Sequence, residues 1–440
     1  MSLRTASDQS FHSASKRFPL YSLQLVLLFL LSLVTVHSSV SNAAPQAATI
    51  ASLIESSKIP LPKPRPADAP KTLLSYLPDI ASSLPKVTAR SGKLKDALEA
   101  VDKNDILDAL AIRAGMSDPV DKAILTWRLI RSGDPLIPYD MIVEFQTQYS
   151  DFPLQSTMTR RAEEALARQK LGSNLVLSVY GNVNPISIQG IIQKSESLMA
   201  ANRNSEAATL VRELWRTSRL SSAFESEIKT KFKSLLRESD HKWRTNMLLY
   251  RELTSEGLRV AGLVSKDYVT LAKARQAVIR RTKAAESLKQ VPAYLRNDPG
   301  YIFAKVQYLR RTNNPRDSAA LLQTAPSDPE LLVDPDEWWV ERRLASREMM
   351  QLGRFKQAYD IAASHRGGSP ATVAEAQFHA GWYALRFLKN PKLAKPHFEN
   401  IAKIATKPRS IAKAYYWMGR ADEAMGDTTQ ARQNFQRAAR

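Results

Sequence analysis

Along most of the chain apolar side chains recur every three or four residues, the interval that gathers them on one face of a helix, and few stretches alternate apolar and polar positions as a half-buried strand would. The pattern is clearest near the end. Trp338, Ala345, Met349 and Leu352 mark one helix, Ala374, Phe378, Gly381 and Leu385 a second, and Ile411, Ala414, Met418, Ala421 and Met425 a third. Each is followed by a turn and a shorter apolar run: Phe355, Ala358, Tyr359 and Ala362; then Ala394, Phe398, Ile401 and Ala405; then Ala431, Phe435 and Ala438. Gly353 and Gly426 suit left-handed positions just past a helix end, Pro391 suits a first turn, and Asp427 with Gln430 resembles a capping box. The spacing therefore predicts three successive helical hairpins over 336–440.

These hairpins repeat. Leu352, Leu388 and Met425 lie 36 and 37 residues apart, as do Ala358, Ala394 and Ala431, close to the roughly 34 residues of a tetratricopeptide unit. A small alanine in each second helix is what close stacking of neighbouring pairs requires, so the reading is an all-α, TPR-like solenoid; a convergent bundle of similar helices is the alternative. Upstream, "KLKDALEAVDKNDILDALAIRAG", "PVDKAILTWRLIRSGD" and "PYDMIVEFQTQYSDFP" each predict one helix, the second closed by Ser132-Gly133 and the third by Asp151-Phe152-Pro153. The same grammar continues from Ser156 to Arg311. The predicted superhelical domain spans 93–440.

The first residues follow a different rule. Lys16-Arg17 precede "FPLYSLQLVLLFLLSLVTVHSSVSNAA", an uncharged apolar run ending in small residues, which is the pattern of a secretory signal peptide over 1–43 with cleavage after Ala43 or Ala44. An uncleaved anchor is the competing reading of the same run. Residues 44–92 hold a proline-rich linker, "KIPLPKPRPADAP", and a first helical segment. Export to the periplasm follows from this reading, with no stable membrane anchor once the signal is removed.

Composition supports a helical chain: 44% hydrophobic, 24% charged and only 15 Gly, with 24 Pro read mainly as punctuation between helices. With no cysteine, disulfides, thiolate metal sites and a lipidated cysteine anchor are excluded. No phosphate-binding glycine loop or His-Glu metal motif occurs, so no cofactor and no metal are expected; His241, His365, His379 and His397 read as surface or helix-packing residues. The formal charge of +20, from 63 Lys and Arg against 43 Asp and Glu, attracts anions. For an exported chain the anion is an envelope polymer and not nucleic acid, while stretches such as "RRTKAAESLK" also fit the solvated face of a helix. Trp338-Trp339, Trp382-Tyr383 and Tyr415-Tyr416-Trp417 fall on successive first helices, where adjacent residues do not share a face. Trp339 and Tyr383 are accordingly the candidate sugar-stacking residues, against the plainer reading of core aromatics.

The stretches "EWWVERRLASREMMQLGRFKQAYDIAASH", "AEAQFHAGWYALRFLKNPKLAKPHFENIA" and "IAKAYYWMGRADEAMGD" resemble the superhelical part of soluble lytic murein transglycosylases, particularly the alphaproteobacterial type, over roughly Asp336 to Asp427 and more diffusely from Lys93. The resemblance implies a U- or ring-shaped superhelix followed by a lysozyme-like domain. It also implies non-hydrolytic cleavage of the MurNAc–GlcNAc bond by a glutamate in a Glu-Ser pair, upstream of a Gly-Leu-Met-Gln segment. That segment is absent, and the chain reaches "ARQNFQRAAR" where the family passes to its linker. Of the pairs Glu55-Ser56, Glu196-Ser197, Glu225-Ser226, Glu238-Ser239 and Glu286-Ser287, the one in "IIQKSESLMAANRNSEA" looks most like a catalytic helix, yet Glu196 reads as a surface residue. The expectation is a chain that is inactive alone and binds peptidoglycan glycan strands, with other cell-wall proteins as further partners. A periplasmic helical-repeat adaptor for proteins is the alternative.

Overall fold

The computed structural model describes residues 85–440, and the expected signal peptide and most of the expected linker lie outside them. The described chain holds α-helices, one 3₁₀ turn (Ala293–Leu295) and no strand. In chain order the helices are α1 (Leu94–Asp102), α2 (Ile106–Gly115), α3 (Pro119–Ser132), α4 (Tyr139–Gln148), α5 (Gln155–Arg168), α6 (Ser173–Tyr180), α7 (Ile188–Ala200) and α8 (Asn204–Thr217). They continue as α9 (Ser222–Lys231), α10 (Glu238–Tyr250), α11 (Thr254–Ala261), α12 (Lys266–Arg280), α13 (Ala284–Gln290), α14 (Pro299–Arg311), α15 (Pro315–Gln323) and α16 (Pro329–Leu332). The last six are α17 (Pro335–Gln351), α18 (Phe355–Ala363), α19 (Pro370–Arg386), α20 (Pro391–Ile404), α21 (Pro408–Ala424) and α22 (Thr428–Ala438).

The substantial contacts run between helices close in chain order: α17 with α18, α19 with α20 and α21 with α22 form hairpins, while α1, α3, α5 and α7, and later α14, α17 and α19, touch in series. This neighbour-to-neighbour packing is that of an α-solenoid. Ala358, Ala394 and Ala431 are buried at the expected hairpin positions. Gly353 and Gly426 carry φ of +70° and +83°, and Asp427 caps α22 by accepting from the Gln430 N–H. Proline opens α3, α14, α15, α16, α17, α19, α20 and α21, where its missing N–H costs nothing. Pro396 is the exception, lying inside α20.

Three local expectations are corrected. Lys93–Gly115 is not one helix: Asn104 adopts a left-handed φ of 61° and the chain doubles back between α1 and α2. The third predicted helix stops at Gln148, before Asp151, because Tyr149, Phe152 and Phe145 fold into an aromatic knot. Leu352 and Met425 follow the last helical residues of α17 and α21 and stand exposed, since the chain turns away from the core there.

Candidate functional site

The α17–α18–α19 junction is built from polar groups that the hydrophobic pattern does not reveal. Trp339 is buried, donating its indole N–H to the Glu375 carboxylate at 2.8 Å, with its ring 5.2 Å from His365 and 5.4 Å from His379. Arg343 reaches the other Glu375 oxygen at 3.0 Å. Burial works against the Glu375 charge, yet the Trp339 and Arg343 donors prevail and hold the carboxyl below its ordinary range. Tyr383 is buried as well, its hydroxyl 3.3 Å from Ser346 Oγ and its phenol pushed up by burial.

Neither candidate ring offers a face to a sugar, so Trp339 and Tyr383 are corrected from stacking platforms to packing and network residues. Trp338 is also buried. Adjacent positions 338 and 339 are both covered because α17 has neighbours on more than one side, α14 and α19 in series and α18 as its hairpin partner.

The histidines at this junction are packing residues in a cationic setting. Burial, reinforced by Arg342, pushes His365 down to about 4, and burial also lowers His379. Arg342 is itself buried, donates to Ser364 Oγ at 2.6 Å, and is lowered to about 10 by burial, with Arg366 adding to the effect.

Beside this network a cleft of about 320 Å³ opens between α19, α20 and α21. Ala374, Phe378, Ile401 and Ile404 give it apolar walls; Glu375, Lys407, Ser410 and Lys413 bring polar groups to it. Lys413 Nζ lies over the Phe378 ring, 3.2 Å from its centroid. Desolvation against the wall lowers this ammonium, more strongly than Glu375 raises it. The sequence gives little warning of the site, because Lys407 and Lys413 look like ordinary surface lysines and only the folded hairpins bring them beside Phe378.

A second, more polar cleft of about 590 Å³ includes Glu164, Arg168, Glu196, Glu227 and Lys231, contributed by α5, α7 and α9. Glu196 is exposed and pairs with Lys231 at 2.7 Å, which leaves it a surface residue neutralised by its neighbour. Among the other Glu-Ser pairs, Glu225 is buried and bridges Arg244 and Arg259 at 2.8 and 2.7 Å. Glu238 opens α10 and pairs with Lys242. Glu286 lies in the first turn of α13, and Glu55 is outside the described residues. No helix among the described residues is long and apolar enough to cross a membrane, and no group of three or more His, Asp or Glu among them could hold a metal ion.

No protein-family model matches the chain, and no curated protein matches it. A solved structure described as the crystal structure of the APC/C hetero-tetramer Cut9–Hcn1 aligns with 78% of this chain and 85% of its own, at 11% identity and a TM-score of 0.24. At that level the alignment adds nothing to what the helix pairing shows by itself. The chain is a helical-repeat protein.

Proposed function

We propose that the chain is a non-catalytic arm that binds murein in the periplasm, in the manner of the superhelical region of a soluble lytic transglycosylase. What carries the reading is where the resembling residues fall. The stretch from Asp336 to Asp427 coincides with α17–α21, and its Trp338, Ala345, Ala358, Ala380, Ala394, Phe398 and Ala414 are buried residues that pack those hairpins. Their burial supports reading the stretch as a stacked-hairpin arm. The charge of +20 supports an anionic polymer as target. Glu196, exposed and ion-paired with Lys231, lacks the enclosed position beside a scissile bond that a general acid needs.

A protein-adaptor reading is favoured by a different observation: Trp339 and Tyr383 are buried, while the exposed cleft of α19–α21 has apolar walls. A pull-down on purified sacculi separates the two. Binding at low salt that weakens as screening shortens toward roughly 8 Å at physiological ionic strength supports the murein arm; absence of binding at low salt favours the adaptor. The purified chain should release no anhydro-muropeptides, and Glu196→Gln should change nothing. Release by the wild type that is lost in Glu196→Gln would overturn the non-catalytic reading.

A further inference from the structure

The last two hairpins repeat each other residue by residue. Helices α19 and α21 are each 17 residues long and open on Pro370 and Pro408, and the stripe Ala394, Lys395 and Phe398 of α20 returns on α22 as Ala431, Arg432 and Phe435. In both hairpins the phenylalanine rests on a glycine of the preceding helix: a methyl carbon added at Gly381 would stand 2.7 Å from Phe398, and one at Gly419 would stand 2.6 Å from Phe435. What differs is the outer side of the ring. Helix α21 covers the α20 stripe, with Trp417 stacked on Phe398 at 5.9 Å between centroids and Asp422 taking Lys395 at 2.7 Å, and Phe398 is fully buried. Among the described helices only α21 packs substantially against α22, so Phe435 stays half-buried, Tyr416 beside it is 44% exposed, and Arg432 is exposed. Arg432 makes no ion pair among the described residues. An open trough runs along Ala431, Arg432 and Phe435, and the acid at its rim, Glu423, is already taken by Arg420 at 2.9 Å.

We infer that this end face seats one amphipathic helix of another protein, lying on α22 as α21 lies on α20, with an aromatic side chain on Phe435 and, five positions later, a carboxylate on Arg432. Two observations select that occupant. The stripe continues an interface the chain already makes, so a helix of the α21 pattern fits it; the unpaired guanidinium favours an acidic helix over a basic one. A second copy does not supply it, because each chain's own α21 keeps Trp417 on Phe398 and holds Asp422 fully buried between Lys395 and Asn434. The inference goes beyond the murein reading and stands apart from it.

Fluorescence anisotropy on the full chain tests it, with a labelled, end-blocked peptide of residues 408–424 as the probe, since that helix has the required pattern. The peptide should bind; Trp417→Ala in the peptide should weaken it about tenfold and Asp422→Asn about fivefold. Arg432→Glu in the chain should weaken the parent peptide about tenfold, and a peptide carrying Asp422→Lys should bind that variant better than it binds the wild type. Arg432 is exposed, so the variant's helix content by circular dichroism should match the wild type. Binding that ignores Arg432→Glu would place the peptide on α20 by exchange with the chain's own helix and overturns the inference. So does no binding at up to about 1 mM peptide. Sedimentation that finds a wild-type dimer dissolved by Arg432→Glu would give the face to a second copy, and overturns it as well.

Discussion

Single residues in this stack carry charge into places the hydrophobic pattern would fill with leucine. Glu225 bridges Arg244 and Arg259, Asp240 takes Arg216, and Glu341 takes Arg310 at 2.8 Å and Gln307 at 3.1 Å. Each joins one helix to another, so these pairs fix which helix lies beside which; removing the Glu225 carboxylate would strand the buried Arg244 at a cost of roughly 3–5 kcal/mol. The buried histidines have the opposite character, because they are held neutral. His365 meets Arg342 and Asp336 of α17 and the adjoining Arg366, and the cations and burial outweigh the carboxylate. Its folded value of about 4 lies below the ordinary 6.5, so between those values the unfolded chain binds more protons and stability falls as pH falls. By pH 4 the loss from this residue is on the order of 3 kcal/mol. Thermal melts across pH 7 to 4 should show that decline, and His365→Gln should flatten the curve without abolishing its slope, since His241, His379 and His397 are lowered too. An unchanged slope in the variant would assign the acid sensitivity elsewhere.

At the scale of the helix, two glycines do unlike work. Gly381 in α19 faces the buried Phe398 of α20, and an added methyl carbon would stand 2.7 Å from that ring. Gly353 meets nothing within 4 Å but holds a φ of +70° after α17. Gly381→Ala should therefore cost about 1–3 kcal/mol by overpacking, and Phe398→Leu should recover part of it. Gly353→Ala should cost about 1 kcal/mol through backbone strain alone, with no relief from Phe398→Leu. Denaturant melts of Gly381→Ala, Gly353→Ala, Phe398→Leu and the two double variants decide between the mechanisms. The same contrast explains what could be read from the chain. Caps, opening prolines and the alanine period were legible because each is a local signal with one physical cause. The break at Asn104 was not, since its left-handed turn interrupts an otherwise continuous helical pattern. The burial of Trp339 and Tyr383 was hidden for another reason: helical periodicity identifies one apolar face, whereas a helix inside a stack is covered on several. The α19–α21 cleft was hidden too, because its lysines gain meaning only from helices that fold against each other.

At the scale of the whole described chain, contacts between near neighbours divide the interior into separate clusters, and cooperativity depends on what joins them. The first apolar cluster runs from Ala97 to Tyr180 and the next begins at Ile192, with Leu177 packing across. Between them the join is mostly polar: Glu163 accepts the Ile186 and Ser187 N–H groups, the latter at 2.6 Å, and Lys194 donates to the Gly181 and Val183 carbonyls. Farther on, the join is tighter, because the Trp338 indole donates to the Tyr250 hydroxyl at 2.9 Å and both rings pack on Phe303, binding α10, α14 and α17 into one cluster. Unfolding should consequently proceed in stages. In hydrogen exchange followed through increasing urea, peptides from α1–α6 should lose protection before those from α10–α19. Glu163→Gln leaves a backbone donor at the join without its charged acceptor, a change worth about 1–3 kcal/mol. It should bring the first stage to lower urea and leave the second where it was. Loss of protection in all peptides at one urea concentration, in wild type and variant alike, would mean that the polar join transmits cooperativity as fully as an apolar one.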